Sequence, residues 1–516
     1  HQIPNKEGKP KVGKMASKFT ISARSCSFLL LLSASLLVPA RAGVFDITQS
    51  GGSAGSDVTQ ALQTAWKSAC GAGAGSSVVV PAGQYSLGEV VMAGPCAGPV
   101  TLQIDGTLTA PGDAAAIKGP AWITLLKVDK LTITGKGTLD GQGSNAWAES
   151  GGSHDRPANL RLDALTDATV DGITSLNSKM FHITVLMGKG VTLNNLIITA
   201  PGDSPNTDGI HISRSDGVTI TGPTIKTGDD CVSIGEGSTN ILISGVTCGP
   251  GHGLSVGSLG KVQNEAPVSG ITIRDSTLTN TEFGLRVKTW PGSPAGTASD
   301  IHFSGITMNG VQRPILIDQT YCPHQQCKSS APSNVKLSNL SFQNIKGTSA
   351  TADVVQLHCS PSSPCEGVSL GDITVAPTGG TANAVCSNVQ PTISGQFPSG
   401  CSGAQPGPAT PAASTPASPT ATAPTTAAAP STASITPAAS APTTAAAPAT
   451  ATAPTTAAAP ATGSISPAAS APTTAAAPAT ASISPGASAP TTTAAPATAS
   501  ISPGASAPTA AAAPAH

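Results

Sequence analysis

Charge is scarce in this 516-residue chain: only 10% of its residues are Asp, Glu, Lys or Arg, and the formal net charge is −1. Long apolar runs are scarcer still. The one candidate, residues 28–38, is shorter than the ~18 residues that suggest a membrane span. It follows Lys18 and Arg24 and precedes the small-residue pattern Ala40-x-Ala42, the layout of a secretory signal. Residues 1–14 are therefore expected to be upstream sequence and residues 15–42 the signal peptide, with the mature chain starting near Gly43 and no membrane span after cleavage. A hydrophobic C-terminal tail is also missing, which argues against a lipid anchor there. Without the signal segment the chain keeps 19 basic and 26 acidic side chains, a net charge of −7. That balance disfavours nucleic acid or an anionic membrane as partner, so an acidic ligand would need a local basic cluster.

Paired CxxC spacing is absent, which argues against a zinc site. The ten cysteines left after removal of Cys26 all lie between Cys70 and Cys401, and an even set in a secreted chain implies disulfides. Proximity pairs Cys70 with Cys96, Cys231 with Cys248, Cys322 with Cys327, Cys359 with Cys365 and Cys386 with Cys401.

Residues 402–516 are almost wholly Ala, Pro, Thr and Ser, with no aromatic residue. Such a segment cannot bury enough apolar surface to offset its conformational entropy and is expected to be a disordered stalk. Its Ala-Pro, Ser-Pro and Thr-Pro dipeptides resemble the hydroxyproline-rich glycomodules of plant arabinogalactan proteins, which implies O-glycosylation and contact with the cell wall; an unmodified spacer is the alternative. Asn339-Leu340-Ser341 is an N-glycosylation sequon.

The folded part is then residues 43–401. Helix-period patterns are nearly absent from it. Instead, short alternating segments such as "ATVDGITSLNS", "VTLNNLIITAPG", "VTITGPTIKTG" and "ILISGVTCGPG" recur at intervals of roughly 22 to 34 residues, broken by Gly, Asn or Asp. One such unit cannot cover its own apolar face, whereas stacked units bury a continuous aliphatic core. The pattern predicts an all-β chain, a parallel β-helix. "GSDVTQALQTAWKSAC" is the best helix candidate; with Asp57 as N-cap it would cover the open N-terminal end.

Stacking brings distant polar residues together. Asp208 precedes Asp229 by 21 residues, His252 follows by 23, and Arg286 and Lys288 come one longer coil later. These spacings place three carboxylates (Asp230 included), a histidine and two cations in one column, with a bend or bulge needed if Asp229 and Asp230 are both to face it. Singly, each feature is ordinary: a turn, a calcium-ligand pair, a structural histidine, surface cations. Together, crowded carboxylates raise one another's pKa and cost stability, which points to a use.

"NTDGIHI", "TGDDCVSIG", "CGPGHGLSVGSLG" and "RVKTW", in this order, resemble the signature motifs of the polygalacturonases, glycoside hydrolase family 28. "EAPVSGITI", "IDQTYCPHQQC" and the cysteine layout are similar to the plant pollen-type exopolygalacturonases. The resemblance implies a right-handed parallel β-helix that hydrolyses the α-1,4 bonds of polygalacturonate with inversion. By the family pattern Asp229 is the general acid, Asp208 and Asp230 hold and deprotonate the water, and His252 positions the acid or substrate. Asn206, Arg286, Lys288 and Tyr321 are implied to bind substrate, with no metal or organic cofactor. The expected setting is the cell wall, and the expected state a monomer. Endo-acting cleavage, a pectate-lyase-like enzyme and a non-catalytic wall-binding glycoprotein are the alternatives. One departure stands out: the loop after "LDGQG" lacks the cysteine that plant relatives often carry.

Overall fold

The computed structural model describes residues 42–72, 75–148, 156–325, 327 and 329–401. The expected signal segment and the Pro-rich tail lie outside the described residues, as does much of the loop after "LDGQG". Within the described residues, strands pair in parallel, coil upon coil, in a right-handed β-helix whose two sheets hold 21 and 11 strands.

The short strands explain the sequence pattern. In Thr169–Asp171, Thr192–Asn194 and Thr219–Thr221 only the middle residue is buried. Those middle residues stack in register, Val170 on Leu193 on Ile220 on Ile243 on Ile273 on Phe303 on Phe342. The two phenyl rings lie nearly parallel, 4.9 Å apart. A corner follows each strand, and left-handed backbone there is met by Asn195, Gly222, Gly245, Asp275, Gly305, Asn344 and Asp372. These are the residue types that enter that region at least cost, so the Gly/Asn/Asp punctuation is the corner of the helix seen in sequence.

Helix α1 (Thr59–Ala72) turns Leu62, Ala65, Trp66 and Ala69 inward against the first coils. Asp57 Oδ1 accepts the Thr59 amide at 2.7 Å, the expected cap. All five disulfides join the pairs that proximity suggested. Asn339 is exposed, and its amide nitrogen donates to Asp300. Among the described residues no helix is long and apolar enough to cross a membrane.

Six consecutive rungs of the 11-stranded sheet matter most: β1 (Ile183–Leu186), β2 (Ile210–Ser213), β3 (Val232–Ile234), β4 (Leu254–Leu259), β5 (Phe283–Thr289) and β6 (Arg313–Asp318). The outward row across them reads Thr184, His211, Ser233, Ser255, Arg286 and Leu316, one residue per rung at about 4.8 Å spacing. In β2 to β5 the aliphatic residues on either side of the row, such as Ile210 and Ile212 or Val232 and Ile234, are buried in the core.

Gly253 lies just before β4 with φ +78°, and an added Cβ would sit 2.2 Å from the Phe283 carbonyl oxygen. Gly253→Ala is expected to destabilise the fold by about 2 kcal/mol or more. Thermal unfolding checks this, and an unchanged midpoint would refute the close packing of β4 on β5.

Candidate active site

The site is built at the entries to β2, β3 and β4, where the chain turns onto the sheet. Since Ile210, Val232 and Leu254 pair in register, Asp208, Asp230 and His252 occupy equivalent places on three successive rungs. The sequence spacing drew Asp229 and Asp230 alike into the column; the register puts Asp230 in the row itself. The rungs are 22 residues each, and Asp229 sits beside the row at a bend, its Oδ1 accepting the Asp230 amide at 2.8 Å. A bend rather than a bulge thus lets both aspartates reach the face. Backbone bonds lock it: the Gly209 amide donates to the Asp230 carbonyl and the His252 amide to the Asp229 carbonyl, at 2.9 and 2.8 Å. The disulfide from Cys231 to Cys248 anchors the bend from behind, and the Gly228 amide donates to Thr207 Oγ1, tying it to the Asp208 turn.

Arg286 and Lys288 are buried beside Asp230. Arg286 Nη2 donates to its Oδ1 and Lys288 Nζ to its Oδ2, each at 2.7 Å, and Ser255 Oγ also donates to Oδ1 at 2.8 Å. Burial raises the Asp230 pKa, but Lys288 and Arg286 outweigh it and hold the carboxyl well below the usual carboxylate range. Asp208 goes the other way. Its own burial and the charges of Asp229 and Asp230 push it well above the ordinary value, against the opposing pull of Lys288 and a 2.7 Å hydrogen bond from Ser233. Burial lowers His252, yet the hydrogen bond and charge of Asp229 and the charge of Asp230 outweigh it, and its pKa is raised. Its Nδ1 meets Asp229 Oδ1 at 2.9 Å, and its Nε2 lies 3.4 Å from Glu282.

Among the described residues, Asp229 Oδ2 and Asp208 Oδ1 take no hydrogen bond. The site therefore offers two open carboxylate oxygens next to one carboxylate saturated by cations. A metal ion suits this poorly: Asp229, Asp230 and His252 have donor atoms within 4.8 Å of one another, but Asp230 is already engaged by two cations that would repel a third.

Tyr321 stands edge-on to Trp290, and its ring centre is 5.1 Å from Lys288 Nζ. Asn206, half-buried in the turn before Asp208, takes left-handed backbone. Asp208, Asp229, Asp230, His252, Arg286, Lys288 and Tyr321 are thus linked through contacts at this face, while Asn206 is placed only by its position two residues before Asp208. Sequence reasoning missed His211, Ser233, Ser255, Glu282 and Phe283, whose ring lies 3.8 Å from the Arg286 guanidinium carbon and edge-on to His252. Beyond β5 the face opens into a groove of about 460 Å³ lined by Arg313, Asp318, Gln356 and His358 among others.

The description Glycosyl hydrolases family 28 matches residues 70–401. The chain belongs to this family. It is 51% identical over 357 residues to an exopolygalacturonase of Oenothera organensis, an alignment covering 67% of this chain and 99% of that protein. Among solved structures, an endo-xylogalacturonan hydrolase from Aspergillus tubingensis superposes with a TM-score of 0.62 at 27% identity, over 70% of this chain and 100% of that one. A hyperthermoactive exopolygalacturonase from Thermotoga maritima gives 0.57 at 17% identity, over 68% and 90%, and shares the fold. An exo-acting and an endo-acting enzyme thus share this fold, so the fold by itself does not set the mode of cleavage.

Asp208 supplies a stability test. A carboxyl whose folded pKa is raised binds its proton more tightly folded than unfolded, so its contribution falls as pH rises from the unfolded value through the folded one. Asp208→Asn is expected to raise the unfolding midpoint relative to wild type at pH 7 and to change it little at pH 4. Equal shifts at both pH values would show that Asp208 is not held under electrostatic stress.

Proposed function

We propose that the chain is a secreted exopolygalacturonase that hydrolyses α-1,4-galacturonosidic bonds with inversion, removing galacturonate from chain ends in the cell wall. The observation that carries it is the pair of open carboxylate oxygens on Asp229 and Asp208 beside the Arg286–Asp230–Lys288 cluster. Asp229 donates a proton from Oδ2 to the leaving oxygen, with His252 holding Oδ1 and so fixing the carboxyl's orientation. Asp208 and Asp230 hold the water. Of the two, Asp208 takes its proton, since Asp230 is tied to two cations and is the weaker base. With Asp229 carrying the proton it will give away, one charge that raises Asp208 is gone, and the acid and base roles support each other.

Arg286, Lys288 and Asp230 together carry one net positive charge. Arg286 and Lys288 still have N–H groups free of Asp230, and these meet one galacturonate carboxylate, with Tyr321 closing the subsite and Asn206 bonding sugar hydroxyls. A net-negative enzyme thereby concentrates its attraction for a polyanion at one point. The exo mode is supported by the printed names of relatives such as that of Oenothera organensis, and secretion by five disulfides. On this reading residues 15–42 direct export, residues 43–401 act as a monomer on pectin, and residues 402–516 form a wall-contacting stalk.

Product analysis on polygalacturonate tests the reading. Wild type is expected to release monogalacturonate from the start with little early fall in viscosity, the new reducing end appearing first as the β-anomer. Asp229→Asn is expected to lose about 10²-fold or more in kcat. Early mixed oligomers would make the enzyme endo-acting, an unsaturated product absorbing in the ultraviolet would make it a lyase, and no new reducing ends would leave a wall-binding protein.

A further inference from the structure

Two serines hold equivalent positions under two aspartates, but only one of them has a fixed hydrogen-bond direction. Ser255 Oγ donates to Asp230 Oδ1 at 2.8 Å and accepts from Arg286 Nε at 3.1 Å. Arginine has only donors, so Ser255 can point its proton in one direction alone. Twenty-two residues upstream Ser233 Oγ likewise donates to Asp208 Oδ2, at 2.7 Å, but its other partner, at 2.8 Å, lies on the preceding rung instead of the following one and is Nδ1 of His211. A neutral imidazole can be donor or acceptor at that nitrogen.

A serine hydroxyl has a single proton. While Asp208 is ionised that proton goes to Asp208, Ser233 accepts from His211 Nδ1–H, and Nε2 of His211 is left as a bare acceptor. Once Asp208 is protonated toward Ser233, the hydroxyl turns to Nδ1, and His211 carries its proton on Nε2 instead. The ring is held in place by stacking on Phe181, centroids 4.9 Å apart. Nε2 has no partner among the described residues and, unlike Nε2 of His182, is not sealed from solvent. It therefore faces the same outward surface as the rest of the row.

We propose that His211 and Ser233 act on Asp208 as one unit: a substrate hydroxyl donated to Nε2 of His211 selects the Nδ1–H tautomer, turns Ser233 toward Asp208 and holds that carboxylate ionised. His211 and Ser233 are then positioning residues through which bound sugar readies the base. The charged groups around this unit are Lys288, Asp230 and Asp229. Burial and Lys288 lower His211 to about 4, so the ring is neutral at mildly acidic pH and the choice is between tautomers, not charges. The inference rests on Asp208 being the proton acceptor.

The test compares the acidic limbs of the kcat/KM and kcat profiles on polygalacturonate, which report the free and substrate-bound enzyme. A hydrogen bond to a charged group is worth enough to move a pKa by about one unit. In wild type the kcat limb is expected about one pH unit below the kcat/KM limb. In His211→Phe, which keeps the stack on Phe181, and in Ser233→Ala, the two limbs should coincide. A gap that persists in either variant, or no gap in wild type, overturns the proposal. Asp208→Asn separates this from the underlying reading: wild-type activity there would remove Asp208 as the base, whatever the limbs show. ¹⁵N spectra of His211 in wild type need no variant to fold, and galacturonate should move the ring to the Nδ1–H form; an unchanged Nε2–H form would sink the coupling.

Discussion

The ion cluster of Asp230 with Arg286 and Lys288 is the constraint on which the site depends. Three charged side chains are buried together, which is costly unless every charge is met; here both carboxylate oxygens are engaged by cations. Removing Asp230 would leave two buried cations unpaired, and removing either cation would leave the charge of Asp230 less compensated beside Asp208 and Asp229. The cluster also sets the site's asymmetry. Asp208 and Asp230 lie one rung apart in equivalent positions, yet one is raised and the other lowered in pKa because the cations reach Asp230 most directly. Acid–base catalysis needs such divergence between neighbouring groups.

The fold was legible because a β-helix writes its geometry into the sequence at every coil. Core residues alternate with outward ones, and corners demand Gly, Asn or Asp, so period and punctuation together leave little else to build. The proposed catalytic column was legible for the same reason, but only to within one residue. Asp229 and Asp230 are adjacent, and spacing alone does not say which is in register with Asp208; the bend that decides it depends on backbone bonds between coils. The destination of the two cations was hidden for a related reason. Charge on Arg286 and Lys288 suggests an anionic ligand, whereas their burial against Asp230 emerges only when β5 stacks on β4, which itself stacks on β3.

His211, Ser233 and Ser255 did leave a signal. Ile210-His211-Ile212, Val232-Ser233-Ile234, Leu254-Ser255-Val256 and Leu285-Arg286-Val287 are one motif, a polar residue between two aliphatics, at the same place in four coils. The aliphatics are core, so the polar residue faces outward each time and the four form a row. Reading the chain coil against coil, instead of motif by motif, would have found them. Glu282 and Phe283 carry no comparable mark, because they lie where β5 begins and the aliphatic–polar alternation has not yet set in.

The repeat also shows how a solenoid can diversify chemistry from one template. An aspartate before one strand and a serine outward on the next form a unit that occurs twice, as Asp208 with Ser233 and Asp230 with Ser255. What differs is the third member. Arg286 supplies charge and a one-way hydrogen bond, so Asp230 has a single state; His211 supplies a ring with two tautomers, so Asp208 has two. A permanently ionised carboxylate can hold water and anchor cations, while a carboxylate with two accessible states can accept and release a proton. The backbone needs no change between the two, since each rung presents the same outward position: the third member comes from the following rung for Ser255 and from the preceding rung for Ser233, and its side chain decides whether the neighbouring aspartate is fixed or free to titrate.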